Sequence, residues 1–219
     1  LVISDDGKYY NFYFDGTTLI GSLTYPDAAL KEILDPLNGE TFTVIGFITG
    51  ISGGGQYLNI MVDTVVSDQP EIPDDPEPDP DPEEPIETDI ATVLTGADGI
   101  YTTSGVVLAV NAQSFVLADD TGSLLVYLGT APGVQVGDLV TITGTTKMYA
   151  NAKQFAQDTV ITVTGSMEIE LPDPYVPTAE EIDSLLYEEQ IFVNYVQLTG
   201  TLVISDDGKY YNFYFDGTT

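Results

Sequence analysis

The sequence lacks four residue types on which much enzyme and metal chemistry depends. It contains no Arg, His, Cys or Trp, and five lysines are its only basic residues. Without His or Cys there is no Ser-His or Cys-His nucleophile and no imidazole or thiolate metal ligand, and without Arg there is no bidentate phosphate clamp. The absence of Cys also excludes disulfides. We therefore expect neither enzymatic activity nor a bound cofactor.

Positive charge is scarce, and acidic residues outnumber basic ones 35 to 5, for a net charge of −30. Such a charge repels nucleic acid and anionic lipid, whose protein partners rely on Lys and Arg. The sequence also has no apolar run long enough for a transmembrane helix. We expect no nucleic-acid partner and no membrane insertion. Abundant Thr, Gly, Asn and Tyr with little Lys favour an extracellular or cell-surface protein.

The most informative feature present is a repeat, because residues 202–219 duplicate residues 1–18 (LVISDDGKYYNFYFDGTT) without a substitution. Natural duplications diverge, so this identity indicates one period plus an overlap from an array of near-identical units. The period is then 201 residues, and it carries −28 because the overlap holds three Asp and one Lys. The chain begins with Leu1 and shows no signal peptide, as expected of a piece of a longer polymer.

An acidic, proline-rich segment divides the repeat. Residues 69–89 hold seven of the 13 prolines and almost no apolar side chains. Proline fixes φ and the acids repel one another, so the segment favours an extended polyproline II spacer. Two interpretations remain open, a solvated linker and a linker laid along a neighbouring unit.

Short β segments rich in β-branched residues follow the linker. They cover residues 101–111, 114–118, 123–128, 138–146 and 159–164. The long first strand with its central Gly105, the hairpin 119–122 and the segment 136–144 (VGDLVTITG) resemble an OB-fold, specifically the modules of secreted and surface proteins of Bacteroidota.

The remaining residues predict the same order of elements once the two ends are joined. Reading from Ile191 through the overlap gives three strands, a helix-like segment (PDAALKEILDPLNG) and two more strands, and an OB-fold places its helix between strands 3 and 4. Residues 37–46 match 136–144 in pattern, and 56–58 (QYL) echo 154–156 (QFA). A capping box from Thr178 to Glu181 predicts a short helix ending at Leu186.

The predicted fold is therefore all-β, with two OB-fold-like five-stranded barrels per repeat joined by the acidic linker. One barrel carries a short helix between its strands 3 and 4. The predicted divisions are a first OB-fold at 1–68 that lacks half of its leading strand, the linker at 69–88, a second OB-fold at 89–170, a connector with a short helix at 171–187, and the leading strands of the next OB-fold at 188–219.

Three residues are the best candidates for a binding surface. Alternation along the aromatic strand sends Tyr9, Asn11 and Tyr13 to one face, predicted to point outward. This face suits contact between units, since Tyr is enriched at interfaces, and a glycan could also stack on it. Calcium is the one metal considered, with Asp5, Asp6 and Asp15 as ligands, although their spacing matches no known calcium loop.

Most other polar clusters have simple structural interpretations. Asp119 and Asp120 suit turn formation better than acid-base catalysis, because Asp bonds its own backbone in turns. Residues 52–55 (SGGG) predict a hairpin loop and not a phosphate site, because no helix or Lys follows in the required place.

The leading hypothesis is structural, a repeat unit of a filament, fibre or adhesin stalk that assembles head to tail with copies of itself. One alternative keeps the filament but builds it from separate subunits that exchange strands. Another is a glycan-binding surface module that uses Tyr9, Asn11 and Tyr13. An accessory domain of an extracellular nuclease is a weaker alternative, which the charge opposes.

Overall fold

The structure is a computed structural model that describes residues 9–13, 19–37, 40–66, 88–204 and 211–215, with the backbone alone for 9–13, 201–204 and 211–215. Strands dominate it. The strands are β1 (Tyr9–Tyr13), β2 (Ile20–Thr24), β3 (Thr41–Ser52), β4 (Tyr57–Val66), β5 (Ile100–Val110), β6 (Ser114–Asp119), β7 (Gly122–Tyr127), β8 (Asp138–Tyr149), β9 (Ala152–Phe155), β10 (Val160–Ser166), β11 (Asn194–Ile204) and β12 (Tyr211–Phe215). The helices are α1 (Ala28–Leu34), α2 (Ile90–Thr95) and α3 (Ala179–Ser184), and single 3-10 turns extend α1 to Leu37 and α3 to Tyr187.

The chain divides into two compact units. The first comprises residues 1–67, 149–152 and 173–219, and the second comprises 68–148 and 153–172. Each has its own strand order and its own cluster of buried apolar side chains.

The second unit contains a closed five-stranded barrel. Its strands follow the order β8-β5-β6-β7-β9, and a further pairing of β9 with β8 closes the ring. The pairs β8–β5, β5–β6 and β6–β7 are antiparallel, whereas β7 and β9 run parallel from Leu125↔Gln154 to Val126↔Phe155. Phe115 and Phe155 are the largest fully buried side chains in its core. A Cβ at Gly105 would overlap the Ala118 carbonyl oxygen, so only glycine allows β6 to pass so close to β5.

The strand that closes this barrel differs from the sequence prediction. The sequence predicts residues 159–164 as the fifth strand, but residues 160–164 belong to β10, which pairs antiparallel with β8 and lies at the end of the strand order, outside the ring. The closing strand is β9, which is only four residues long (AKQF) and has no β-branched residue. Burial explains why it forms, since all four of its residues are buried, including Lys153 and Gln154.

The described part of the second unit begins with a helix where the sequence predicts only strands. The Asp89 side chain caps α2 by accepting a hydrogen bond from the Thr92 N–H at 2.7 Å. Ile90, Val93 and Leu94 lie buried on its inner face and belong to the barrel core. These apolar residues, spaced as in one helical stripe, were the available signal for α2.

The first unit contains a six-stranded sheet in the order β1-β2-β12-β11-β3-β4, in which β2 also pairs in parallel with β4. Its core includes Leu23, Val44, Ile60 and Leu198. The helix α1 lies between β2 and β3, as predicted, and Asp27 caps it by accepting from the Leu30 N–H at 2.8 Å. Residues 53–56 connect β3 to β4 through three glycines with positive φ, which confirms the predicted hairpin loop.

The echoed segments 56–58 and 154–156 each contain a residue in a parallel pairing. Tyr57 begins β4 and pairs in parallel with Ile20 of β2. Phe155 ends β9 and pairs in parallel with Val126 of β7. The two segments thus lie at opposite ends of their strands, and the alignment of the two halves stays a prediction.

Candidate assembly site

The predicted site residues lie largely outside the part of the chain that the structure describes. The backbone of Tyr9, Asn11 and Tyr13 belongs to β1, but their side chains are outside the described set. Asp5, Asp6 and Asp15 are also outside it, as are linker residues 69–87. The outward-facing aromatic surface and the calcium site therefore stay predictions, and the geometry of a candidate site comes from the strand pairing.

The most informative geometry is at β2, where two copies of the repeated segment pair in the same register. Asn11 of β1 lies opposite Ser22, and Phe12 lies opposite Gly21. Asn212 and Phe213 of β12, which are the equivalent residues one period later, lie opposite the same Ser22 and Gly21. Both pairings are antiparallel. The two copies therefore present the same strand to the same partner.

A strand has two hydrogen-bonding edges, and β2 has three partners. One of them is β4, which pairs in parallel from Ile20↔Tyr57 to Leu23↔Ile60. The strand order places β2 between the other two, the antiparallel strands β1 and β12.

The strand before the repeated segment is held firmly in the first unit. Eight consecutive residues of β11, Asn194 to Thr201, pair antiparallel with Ile48 to Thr41 of β3. The hydroxyls of Thr199 and Thr43 lie 2.6 Å apart across this ladder. Val196 and Leu198 are 2% exposed, and both belong to the core. The ladder is thus both hydrogen-bonded and packed within the first unit.

Tyr195 adds a contact from β11 to β4. Its ring lies 5.0 Å from the Phe47 ring, and its hydroxyl donates a hydrogen bond to Asp63 Oδ2 at 3.1 Å. Burial of the phenol, the nearby Asp63 charge and this hydrogen bond raise the pKa of Tyr195 to about 12. The tyrosine therefore stays neutral and keeps donating at any physiological pH.

The predicted connector belongs to the first unit and contributes to its core. The capping box at α3 is present, with Thr178 and Glu181 each bonding the other's backbone N–H. Ile182 of α3 is 1% exposed and packs in the core. Upstream, Tyr175 makes two backbone hydrogen bonds with β11, donating to the Tyr195 carbonyl at 3.0 Å and accepting from the Gln197 N–H at 2.8 Å.

The Tyr175 hydroxyl reinforces this arrangement by donating to Glu181 Oε1 at 2.5 Å. This hydrogen bond, together with those from Thr178, lowers the pKa of Glu181, while the same bond raises the pKa of Tyr175. The carboxylate therefore remains charged and able to accept at neutral pH. The sequence motif predicted the helix, but it gave no sign that Tyr175 and Ile182 tie the connector to β11 and the core.

Asp119 acts as a turn former, as predicted. Its Oδ1 accepts from the Thr121 N–H, the Thr121 hydroxyl and the Gly122 N–H at 2.7, 2.6 and 3.0 Å, and its Oδ2 accepts from the Ile90 N–H at 2.8 Å. Burial alone would raise the pKa of Asp119, but these hydrogen bonds together lower it. The carboxylate thus holds α2 against the hairpin between β6 and β7.

Other charged groups in the described part of the chain also have structural partners. Buried Lys153 lies 3.3 Å from Asp98 Oδ1 and also donates to the Gly96 carbonyl. Within the described ranges, no three His, Cys, Asp or Glu side chains lie close enough together to hold a metal ion. None of the helices in these ranges combines the length and the apolar character needed to cross a bilayer.

Comparison with known proteins gives no indication of function, so the strand pairing is the main evidence for it. No protein-family model matches this chain, and no curated protein sequence matches it.

Proposed function

We propose that this chain is the repeat of an extracellular structural filament or stalk, in which 201-residue units follow one another in a tandem polypeptide. The observation that carries the proposal is the common register of Asn11 and Asn212 opposite Ser22. In a tandem array the two copies are equivalent segments of successive repeats, so each junction between units contains one copy that pairs with the equivalent of β2.

In this array a second OB-fold-like barrel spans every junction. β11 comes from one repeat, the repeated segment forms the next strand, and the equivalents of β2, β3 and β4 come from the following repeat. Six residues separate β11 from β12, and six separate β1 from β2. Both connections are short enough for the hairpins by which an OB-fold joins its first three strands.

Chain entropy favours pairing across the junction. Gln197 pairs with Ile45, which lies 152 residues away in this chain. One period later the equivalent of Ile45 is only 49 residues from Gln197. Because each doubling of loop length costs about 0.6 kcal/mol, closing the shorter loop saves about 1 kcal/mol. Consecutive repeats therefore gain the β11–β3 ladder at a lower entropic cost.

Resemblance and composition support a cell-surface location and self-association as the mode of assembly. The resemblance to OB-fold modules of Bacteroidota surface proteins favours the cell surface. The only proposed partner is another copy of the repeat, because a charge of −28 per period disfavours nucleic acid. Units of such charge need either cations between them or the acidic linker as a spacer.

Native material tests the proposal. Filaments purified from the producing cells should give species far above 23.6 kDa on denaturing electrophoresis, and electron microscopy should show a uniform axial repeat. Sequencing the complete gene should show the 201-residue period repeated in frame. A gene that encodes a single copy, or a native band near 23.6 kDa, would contradict the tandem array.

A further inference from the structure

We infer that the edge of β10 that faces away from β8 is a self-association surface, on which the same strand of a second copy of this chain pairs antiparallel. The contact is lateral, and it joins the sheets of two second units side by side. It therefore goes beyond the end-to-end junctions of the proposed filament, and it does not depend on whether the native repeats are covalently joined.

The strand β10 is the open end of the sheet in the second unit. The order begins β10-β8-β5, and the pairings of β9 with β7 and with β8 close the ring without β10. Within the described ranges its one partner strand is β8, from Val160↔Thr143 to Ser166↔Asp138. The other edge of β10 therefore presents backbone groups that no strand of those ranges pairs with, as an edge strand does.

The side chains of β10 lack the charges and prolines that usually protect an edge strand. The nine residues between Asp158 and Glu168 contain neither. Val160 and Val163 are 67% and 51% exposed. The pairing with β8 shifts register between Val163 and Gly165, so the regular part of the edge comprises residues 160–163. This short, apolar and uncharged edge is suited to accept another strand.

Charge indicates where two copies of this chain make contact. With a net charge of −30 each, two copies repel one another, and the repulsion is weakest where neither contributes a charged group. On β8 the residues opposite Val160 and Thr162 are Thr143 and Thr141. Their hydroxyls lie 2.8 and 2.5 Å from side-chain hydroxyls of β5. The surface beside the β10 edge is thus polar but uncharged, which lets a second polyanion approach it.

The sequence of β10 is also complementary to itself. Residues 160–164 (VITVT) are all β-branched. In an antiparallel register centred on Thr162, this residue lies opposite its own copy, and Ile161 lies opposite Val163 of the second copy. Cross-strand pairs of β-branched residues stabilise a sheet. Because both copies use the same surface, the contact closes on itself as a twofold dimer.

Sedimentation of the 219-residue chain at increasing concentration tests the inference. From about 1 μM to about 1 mM, the mass should rise from 23.6 kDa toward twice that value. Raising NaCl from about 0.05 to about 0.5 M should strengthen the association, because salt screens the repulsion between the two chains. A chain that stays monomeric at about 1 mM in the higher salt would overturn the inference.

Two lysine variants locate the contact. Thr162 is exposed on β10, and Thr162→Lys places two like charges opposite each other at the centre of the proposed pairing. It should weaken dimerisation about tenfold. Ala131→Lys adds the same charge at an exposed loop position of the same unit. Because it lowers the net negative charge, it should leave dimerisation unchanged or strengthen it. Equal effects of the two variants would overturn the inference.

Hydrogen exchange of the unmodified chain identifies the surface without any substitution. Amides of residues 159–167 should exchange more slowly at high concentration than at low, whereas those of β7 (122–127) should not change. Slow exchange of β10 at every concentration would mean that a segment of the same chain covers the edge, and would overturn the inference.

These results are separable from the test of the proposed function. A monomeric chain leaves the tandem array standing, and a gene with a single copy leaves the β10 dimer standing.

Discussion

Tyr195 and Asp63 lie 132 residues apart in sequence, yet the tyrosine hydroxyl donates to the carboxylate at 3.1 Å and joins β11 to β4. In the proposed array these two residues belong to successive repeats. The hydrogen bond would then be one of the side-chain contacts that cross each junction, together with the Thr43–Thr199 pair.

Tyr195→Phe should destabilise the first unit by about 0.5–1.5 kcal/mol, because it removes one hydrogen bond and keeps the ring against Phe47. Chemical denaturation of both proteins at pH 7 measures the difference. Thr43→Val serves as a comparison, since it removes the hydroxyl contact between Thr43 and Thr199 and leaves Tyr195 intact.

The losses from these two substitutions should add in the double variant. Thr43 lies opposite Thr199, four residues further along β11 than Tyr195, which is about 13 Å at the spacing of an extended strand. Sites so far apart with no shared partner are usually independent. A double variant that loses much more or much less stability than the sum would show that the two contacts are coupled.

The pKa of Tyr195 predicts a pH dependence. An ordinary tyrosine ionises near 10.0, whereas the pKa of Tyr195 is raised to about 12 in the folded state. The unfolded chain therefore loses this proton first as the pH rises, and the stability from Tyr195 falls between pH 10 and 12. The free energy of unfolding should fall less between pH 9 and about pH 11.5 for Tyr195→Phe than for the unmodified chain. An equal fall would contradict the assigned pKa of Tyr195.

Asp119→Asn should destabilise the second unit by about 1–3 kcal/mol at pH 7, because the charged acceptor of four hydrogen bonds is lost. The pKa of Asp119 lies below its usual 3.8, so its stabilisation is present above that pH and is lost as the pH falls through the lower folded value. The difference between the two proteins should therefore shrink in acid. Asp120→Asn, at the exposed neighbouring position, makes the same change of charge and should have little effect.

Thr103→Val should leave the stability of the second unit unchanged or raise it by about 1 kcal/mol. Among the described residues, Thr103 Oγ1 is a buried side-chain atom without a hydrogen-bond partner, and valine has nearly the same shape. Thr102→Val is the matched control, since the Thr102 hydroxyl lies 2.8 Å from Thr143 Oγ1 and its removal should be destabilising. In thermal unfolding, Thr102→Val should lower the unfolding temperature. Thr103→Val should raise it or leave it unchanged.

Ile182→Ala should destabilise the first unit by about 2–4 kcal/mol, because it leaves a cavity where α3 packs into the core. Ile33→Ala removes the same atoms from α1 at a position that is 50% exposed, and its effect should be much smaller. Denaturant titration of both variants makes the comparison. Equal effects would mean that the connector is not part of this core.

Sequence patterns predicted the elements whose signals are local. Runs of β-branched residues indicated β5, β6, β7 and β8, and the capping box at Thr178 indicated α3. Sequence could not predict β9, because AKQF forms a strand only through its burial between β7 and β8. The helix α2 was missed because its apolar stripe spans little more than a single turn and also fits a strand.

The candidate site was only partly predictable. The duplicated segment indicated that the chain repeats, and the OB-fold resemblance placed that segment on the second strand of a barrel. Its pairing register opposite Gly21 and Ser22 depends on contacts between distant residues, which no local pattern encodes. The aromatic face of Tyr9, Asn11 and Tyr13 stays a prediction.

The identical pairing of Asn11 and Asn212 also bears on how such a gene changes length. Recombination between two misaligned copies adds or deletes whole periods and leaves the same junction sequence at the crossover. In the proposed array every junction would stay the same, because each copy pairs with Gly21 and Ser22 in one register. The length of the proposed fibre could then vary between cells by unequal crossing over without any cost to folding.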